Sequence, residues 1–95
     1  MIVDRMTVKV KQGCMQELVA LSNSFVETAG HTVRRCTPRV GRYDTLVADH
    51  EFESLAEMEK FWAEWFARPD TPAFMEKWQA LTERGGYTEI WDLVD

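Results

Sequence analysis

Gly41-Arg42-Tyr43-Asp44-Thr45-Leu46-Val47-Ala48-Asp49-His50-Glu51-Phe52-Glu53-Ser54-Leu55 is the stretch that decides the fold. It holds a turn, an alternating strand and a helix start with no residue to spare. Thr45 to Phe52 is the strand. Ser54 is an N-cap, and Glu57 three residues later completes a capping box. Leu55, Met58, Phe61, Trp62 and Trp65 then recur at helical spacing and give that helix one apolar face.

Working outward, Met6, Val8 and Val10 alternate with Arg5, Thr7 and Lys9, the period of a half-buried strand within Met1 to Val10. Lys11-Gln12-Gly13 turns the chain. From Cys14 the period lengthens, and Met15, Leu18, Val19, Ser22, Phe25, Val26 and Ala29 share one helical face up to Gly30, placed as a C-cap. An extended segment from His31 to Val40 follows, with Pro38 inside it, which assigns it to a sheet edge or a bulge because proline donates no ladder hydrogen bond. Downstream, Arg68-Pro69-Asp70-Thr71-Pro72 interrupts the second helix, and Thr71 caps a short one carrying Phe74, Trp78 and Leu81. Gly85-Gly86 stops it, and Tyr87 to Val94 is the fourth strand.

Strand, helix, strand, strand, broken helix, strand leads to one layout when crossovers are right-handed. It is an α+β, ferredoxin-like split βαβ sandwich: a four-stranded antiparallel sheet, order 4-1-3-2, with the helices on one face. The 95 residues form one domain, 1–95. A chain of this size buries only about two-thirds of its unfolded surface. Yet it carries four Trp, five Phe, two Tyr and five Met. The open sheet face of such a chain calls for cover, and two sheets packed about a two-fold axis close into a homodimeric barrel.

A formal charge of −5 speaks against nucleic acid and anionic membranes as partners. The apolar runs fall short of the about 20 residues a membrane helix needs, and Met1 opens directly into a strand pattern without a signal region. Cys14 and Cys36 are widely spaced and not in a CxxC arrangement, which suits a reduced, cytoplasmic protein.

The turn at Gly41–Asp44, the run Val47-Ala48-Asp49-His50-Glu51-Phe52-Glu53-Ser54-Leu55, and the opening strand closed by Lys11-Gln12-Gly13 resemble the NIPSNAP group of the dimeric α+β barrel superfamily, over essentially the whole chain. Antibiotic-biosynthesis monooxygenases and heme-degrading monooxygenases are relatives in that superfamily. The resemblance implies a homodimer whose sheets enclose a cavity for a small apolar or aromatic molecule. It supplies no catalytic set to carry over, so whether the protein is an enzyme stays open. The heme-degrading relatives use an asparagine in the first strand, a tryptophan near the second helix and a histidine on the last helix. Here the first strand has no Asn, and Trp78 stands where the histidine would align, so heme is not expected and no cofactor is assigned.

Among individual residues, His50 is the candidate catalytic group, a base or polar anchor on the Leu46–Ala48–Phe52 face of its strand. A turn centred on Arg42-Tyr43 sets Arg35 opposite His50 and Arg34 opposite Glu51, and the arginine would keep the imidazole neutral. Arg35 and Tyr43 are the candidate ligand-orienting groups, with Trp91 as a cavity-lining or dimer-contact residue. The plainer alternatives are a strand histidine satisfied by hydrogen bonds and a basic edge strand that resists mispairing, Arg34, Arg35, Arg39 and Arg42 being the one basic cluster. His31 reads as exposed, and two histidines so spaced do not suggest a metal site. Three functions follow: a ligand-binding protein of undetermined activity, a cofactor-independent monooxygenase, or a non-catalytic interaction dimer.

Overall fold

Alternation along β1 (Ile2–Val10) and β3 (Thr45–Phe52) pairs them antiparallel at the centre of the sheet, from Ile2 opposite Phe52 to Lys9 opposite Thr45. The computed structural model describes residues 1–94. β2 (Val33–Cys36) lies outside β3 and β4 (Thr82–Asp92) outside β1, so the sheet order is β2-β3-β1-β4, with every pairing antiparallel. This is the split βαβ layout the sequence predicts.

Helix α1 (Met15–Ala29) connects β1 to β2, and α2 (Leu55–Phe66) and α3 (Thr71–Leu81) connect β3 to β4. α1 ends on Gly30 at φ 78°, a left-handed conformation that glycine adopts without strain. At the start of α2 the Ser54 hydroxyl accepts from the Glu57 backbone N–H at 3.2 Å, as the capping signal requires. The core forms where α1 crosses the sheet. Leu18, Leu46 and Val10 are at most 1% exposed and pack with Val8, Met15, Val19, Trp78 and Leu81. Burying each of those three contributes about 2 kcal/mol. No helix among the described residues is long and apolar enough to cross a membrane.

Three boundaries differ from the sequence reading. β2 stops at Cys36, so Pro38 lies in the connection to β3 rather than in an edge strand. Thr71 is the first residue of α3 and not its cap; its hydroxyl donates instead to the Trp65 carbonyl, which satisfies an acceptor left over at the end of α2. β4 begins at Thr82, and Gly85-Gly86 lie inside it. There the register with β1 jumps, Thr7 facing Tyr87 and Lys9 facing Glu83. Gly85 has φ 110°, and a Cβ on Gly86 would stand 2.8 Å from the Thr7 carbonyl oxygen. The glycines allow a bulge where β4 presses onto β1, and do not end the preceding helix.

Candidate functional site

Alternation sends Ile2, Asp4, Met6 and Val8 of β1, and Leu46, Ala48, His50 and Phe52 of β3, toward the helices. Asp4 and His50 are direct cross-strand partners, and each is 3% exposed. One carboxylate and one imidazole therefore sit side by side in an apolar layer.

His31 joins them. The left-handed turn at Gly30 lays His31 over the end of β3, with its ring 4.4 Å from Phe52 and edge-on to Phe61 at 4.5 Å. Its Nε2 lies 2.9 Å from His50 Nδ1, and its Nδ1 lies 3.3 Å from the Ala29 carbonyl oxygen. The expectation of an exposed His31 is corrected: it is half-buried and bonded to His50. Trp62 closes the other side, its indole N–H donating to Asp4 Oδ2 at 3.0 Å. Asp4 Oδ1 has no hydrogen-bond partner.

Burial dominates the electrostatics. Desolvation, helped by the neighbouring His31, pushes His50 from 6.5 down to about 4, against a smaller opposing pull from Asp49. Desolvation also lowers His31, partly offset by its bond to Ala29 and by Asp4. Asp4 is raised by burial, with the Trp62 bond and His31 acting the other way. Both imidazoles are neutral at pH 7. Arg35 is not the cause expected from the sequence. The register puts Val33 opposite His50, Arg34 opposite Asp49 and Arg35 opposite Ala48, because the connection is centred on Gly41-Arg42, one residue earlier than a turn centred on Arg42-Tyr43. The slip is two residues, so Arg35 keeps the same face as His50.

His50, Arg35 and Trp62 border a cavity of about 120 Å³ between the sheet and the helices. Phe25, Trp62, Trp65 and Phe74 supply its aromatic walls, and His50 and Arg35 bring polar side chains to its sheet side. Phe25 is the hub, 5.5 Å from His50, 5.8 Å from Trp62 and 5.4 Å from Trp65 between ring centres. Arg35 is held from α1: its Nη1 donates to Ser22 Oγ at 2.7 Å, to Asn23 Oδ1 and to the Val19 carbonyl at 3.3 Å. The cavity is close in size to the about 150 Å³ apolar cavity that takes up benzene in an engineered protein. It lies within one chain, between the sheet and its own helices.

Of the predicted site residues, His50 and Arg35 are thus brought together. Tyr43 is 92% exposed in the β2–β3 connection, and Trp91 lies on the opposite sheet face, 51% exposed and 5.9 Å from the Arg5 guanidinium carbon. Neither lines the cavity. Asp4 and His31 were missed. Asp4 had a signal, a carboxylate on the core side of the Ile2–Met6–Val8–Val10 alternation. Among the described residues no three His, Cys, Asp or Glu side chains converge as a metal site.

No family model and no curated protein matches the chain. Solved structures do. A NIPSNAP family protein from Agrobacterium tumefaciens superimposes with a TM-score of 0.86 at 16% identity, over 99% of this chain and 86% of the other. An uncharacterized NIPSNAP domain protein from Burkholderia xenovorans gives 0.85 at 14% identity, over 99% and 95%. This chain shares the fold of these NIPSNAP proteins. An antibiotic biosynthesis monooxygenase also matches, at 0.74 and 13% identity over the full length of both chains. At these identities the likeness establishes the fold, and function rests on the site.

Proposed function

We propose that this protein binds a small aromatic or largely apolar molecule in the cavity between sheet and helices, with His50 as its base or polar anchor and Arg35 as the cation facing any anion formed. The observation that carries this is a neutral, buried imidazole at the wall of a largely apolar cavity rich in aromatic side chains. Burial keeps the imidazole neutral, so its bare nitrogen is free to accept a hydrogen bond from a bound molecule, and a guanidinium at a mostly apolar wall is electrostatically strong. Single-ring aromatics such as phenol and toluene should quench tryptophan fluorescence and raise Tm. Ala48 also lines the cavity, so Ala48→Leu fills it and should abolish both effects. A panel without any shift in the native protein would sink the proposal.

The fold shared with an antibiotic biosynthesis monooxygenase favours a second reading, cofactor-independent oxygenation. His50 would remove a proton from an activated methylene, and the carbanion would react with dioxygen. One oxygen atom ends as the new carbonyl and the other leaves as water with the two methylene hydrogens, which balances the four electrons. An oxygen electrode should then record one dioxygen per substrate, and His50→Ala should remove the consumption.

Two further properties belong to this proposal. The chain pairs as a homodimer through its open sheet face, supported by the half-exposed Tyr87, Trp91 and Leu93 of the β4 region. Light scattering at micromolar concentration decides that, a monomer refuting it. Residence in the reducing cytoplasm accords with two free cysteines, Cys36 exposed.

A further inference from the structure

We infer that His31 is a positioning residue that fixes the tautomer of His50 and, with it, forms a two-histidine relay that moves a proton from the cavity to the half-buried His31. The inference rests on the cavity assigned above as a binding site. The order of hydrogen bonds carries it. The Ala29 carbonyl can only accept, so His31 Nδ1 carries a hydrogen, and in the neutral ring Nε2 is bare. His50 Nδ1, 2.9 Å away, must therefore donate to it. That leaves His50 Nε2 without a hydrogen, a proton acceptor on a ring that lines the cavity. His31 does not line the cavity and is half-buried, whereas His50 is 3% exposed. The pair therefore leads from the cavity toward His31.

The step balances without a co-reactant. A bound hydroxyl gives its proton to His50 Nε2 and becomes an oxyanion. The His50 Nδ1 hydrogen moves to His31 Nε2, leaving His50 neutral with its hydrogen now on Nε2. The positive charge then rests on His31, whose Nδ1 hydrogen stays in its hydrogen bond to the Ala29 carbonyl. The charged groups around the pair suit this movement. Asp4 on β1 attracts a charge on His31, Asp49 on β3 attracts one on His50, and Arg35 on β2 faces the cavity, where the oxyanion forms. Without His31, His50 would still be buried but would have no partner selecting which nitrogen is bare.

Long-range proton–nitrogen NMR of protein labelled with 15N-histidine reads the tautomer directly at pH 7, with no substrate required. The native protein should show His50 protonated on Nδ1 and bare on Nε2; the reverse tautomer overturns the inference. His31→Leu should release His50 to the opposite form or to a mixture, and His31→Gln, whose amide oxygen still accepts, should retain the native form. An unchanged tautomer in a folded His31→Leu also overturns it, and should that variant not fold, the native spectrum decides alone. With phenol and toluene as probes, the native protein should prefer phenol by about tenfold, and His31→Leu should lose the preference. Equal binding of the two probes by the native protein overturns the acceptor role of Nε2. If neither probe binds, the cavity proposal fails, while the NMR result still decides the role of His31.

Discussion

The two faces of the sheet use the same strands for opposite ends. Toward the helices, β3 sends Leu46, Ala48, His50 and Phe52 into a layer where Leu46 is 1% and His50 3% exposed. Toward the open side it sends Thr45, Val47, Asp49 and Glu51, and there charges are paired: Arg5 with Asp49 at 2.9 Å, and Arg34 with Glu51 at 3.7 Å. Asp4 and Asp49 show what the difference means. Asp49 meets a guanidinium at a partly wet surface, whereas Asp4, buried, has one indole donor and an orphan oxygen. A face built only for stability would not carry His50, His31 and Asp4 in its apolar layer, since each polar group there loses its hydration. The helix-side face therefore gathers the buried polar groups, and the open face presents paired, partly wet charges.

Neighbouring residues of β3 give the widest contrast. Leu46→Ala should destabilise by about 3 kcal/mol, through lost burial and the void left beside Leu18 and Val10. Val47→Ala, on the open face, should lower stability by under about 1 kcal/mol in a monomer. Urea unfolding of both variants measures this. A Val47 loss as large as that at Leu46 would show the open face to be covered in solution.

Acid should act most strongly through the helix-side face. The folded His50 holds off its proton until about pH 4, while the unfolded chain takes one up near 6.5. Below 6.5 the unfolded state binds more protons, so stability falls as pH drops from 6.5 toward 4, by about 3 kcal/mol in total. His50→Phe should flatten that limb, and an equally steep acid limb in the variant would assign the effect elsewhere. Asp4 acts with the opposite sign. Its raised folded pKa makes the folded state hold a proton the unfolded chain has released above 3.8, so its contribution is lost as pH rises through the folded value. Asp4→Asn keeps an oxygen for the Trp62 N–H and removes the buried charge. It should raise stability at pH 7 by about 1 kcal/mol and steepen the acid limb, as thermal melts at pH 5 and 7 would show.

The legible part of this molecule is the part written in local periods. The alternation of Thr45–Phe52, the Ser54 cap and the Gly30 stop each act over a few residues, and together they determine strand order and the face of His50. What was not legible depends on how segments close in space. The register of Arg35 turns on where an irregular connection is centred, and the bulge at Gly85-Gly86 on how closely β4 approaches the Thr7 carbonyl. His31 lies nineteen positions from His50, and only the geometry of the Gly30 turn and the end of β3 brings the two rings to 2.9 Å. The cavity is likewise a space between α1, α2, α3 and the sheet, and no single segment encodes it.

The smallest expected effect tests the open face most finely. Arg5 grips Asp49 with two hydrogen bonds, at 2.9 and 3.1 Å, but the two side chains are 42% and 21% exposed. Water competes for both groups, and salt screens them, so a double-mutant cycle of Arg5→Ala and Asp49→Ala should give a coupling of only about 0.5 kcal/mol. The same cycle repeated across protein concentration distinguishes a wet face from a covered one. In a monomer the coupling stays small and shrinks further in high salt. Where a second sheet closes over the pair, water leaves, the coupling grows with the dimer population, and removing one partner alone becomes the more damaging change, because the other charge is left buried.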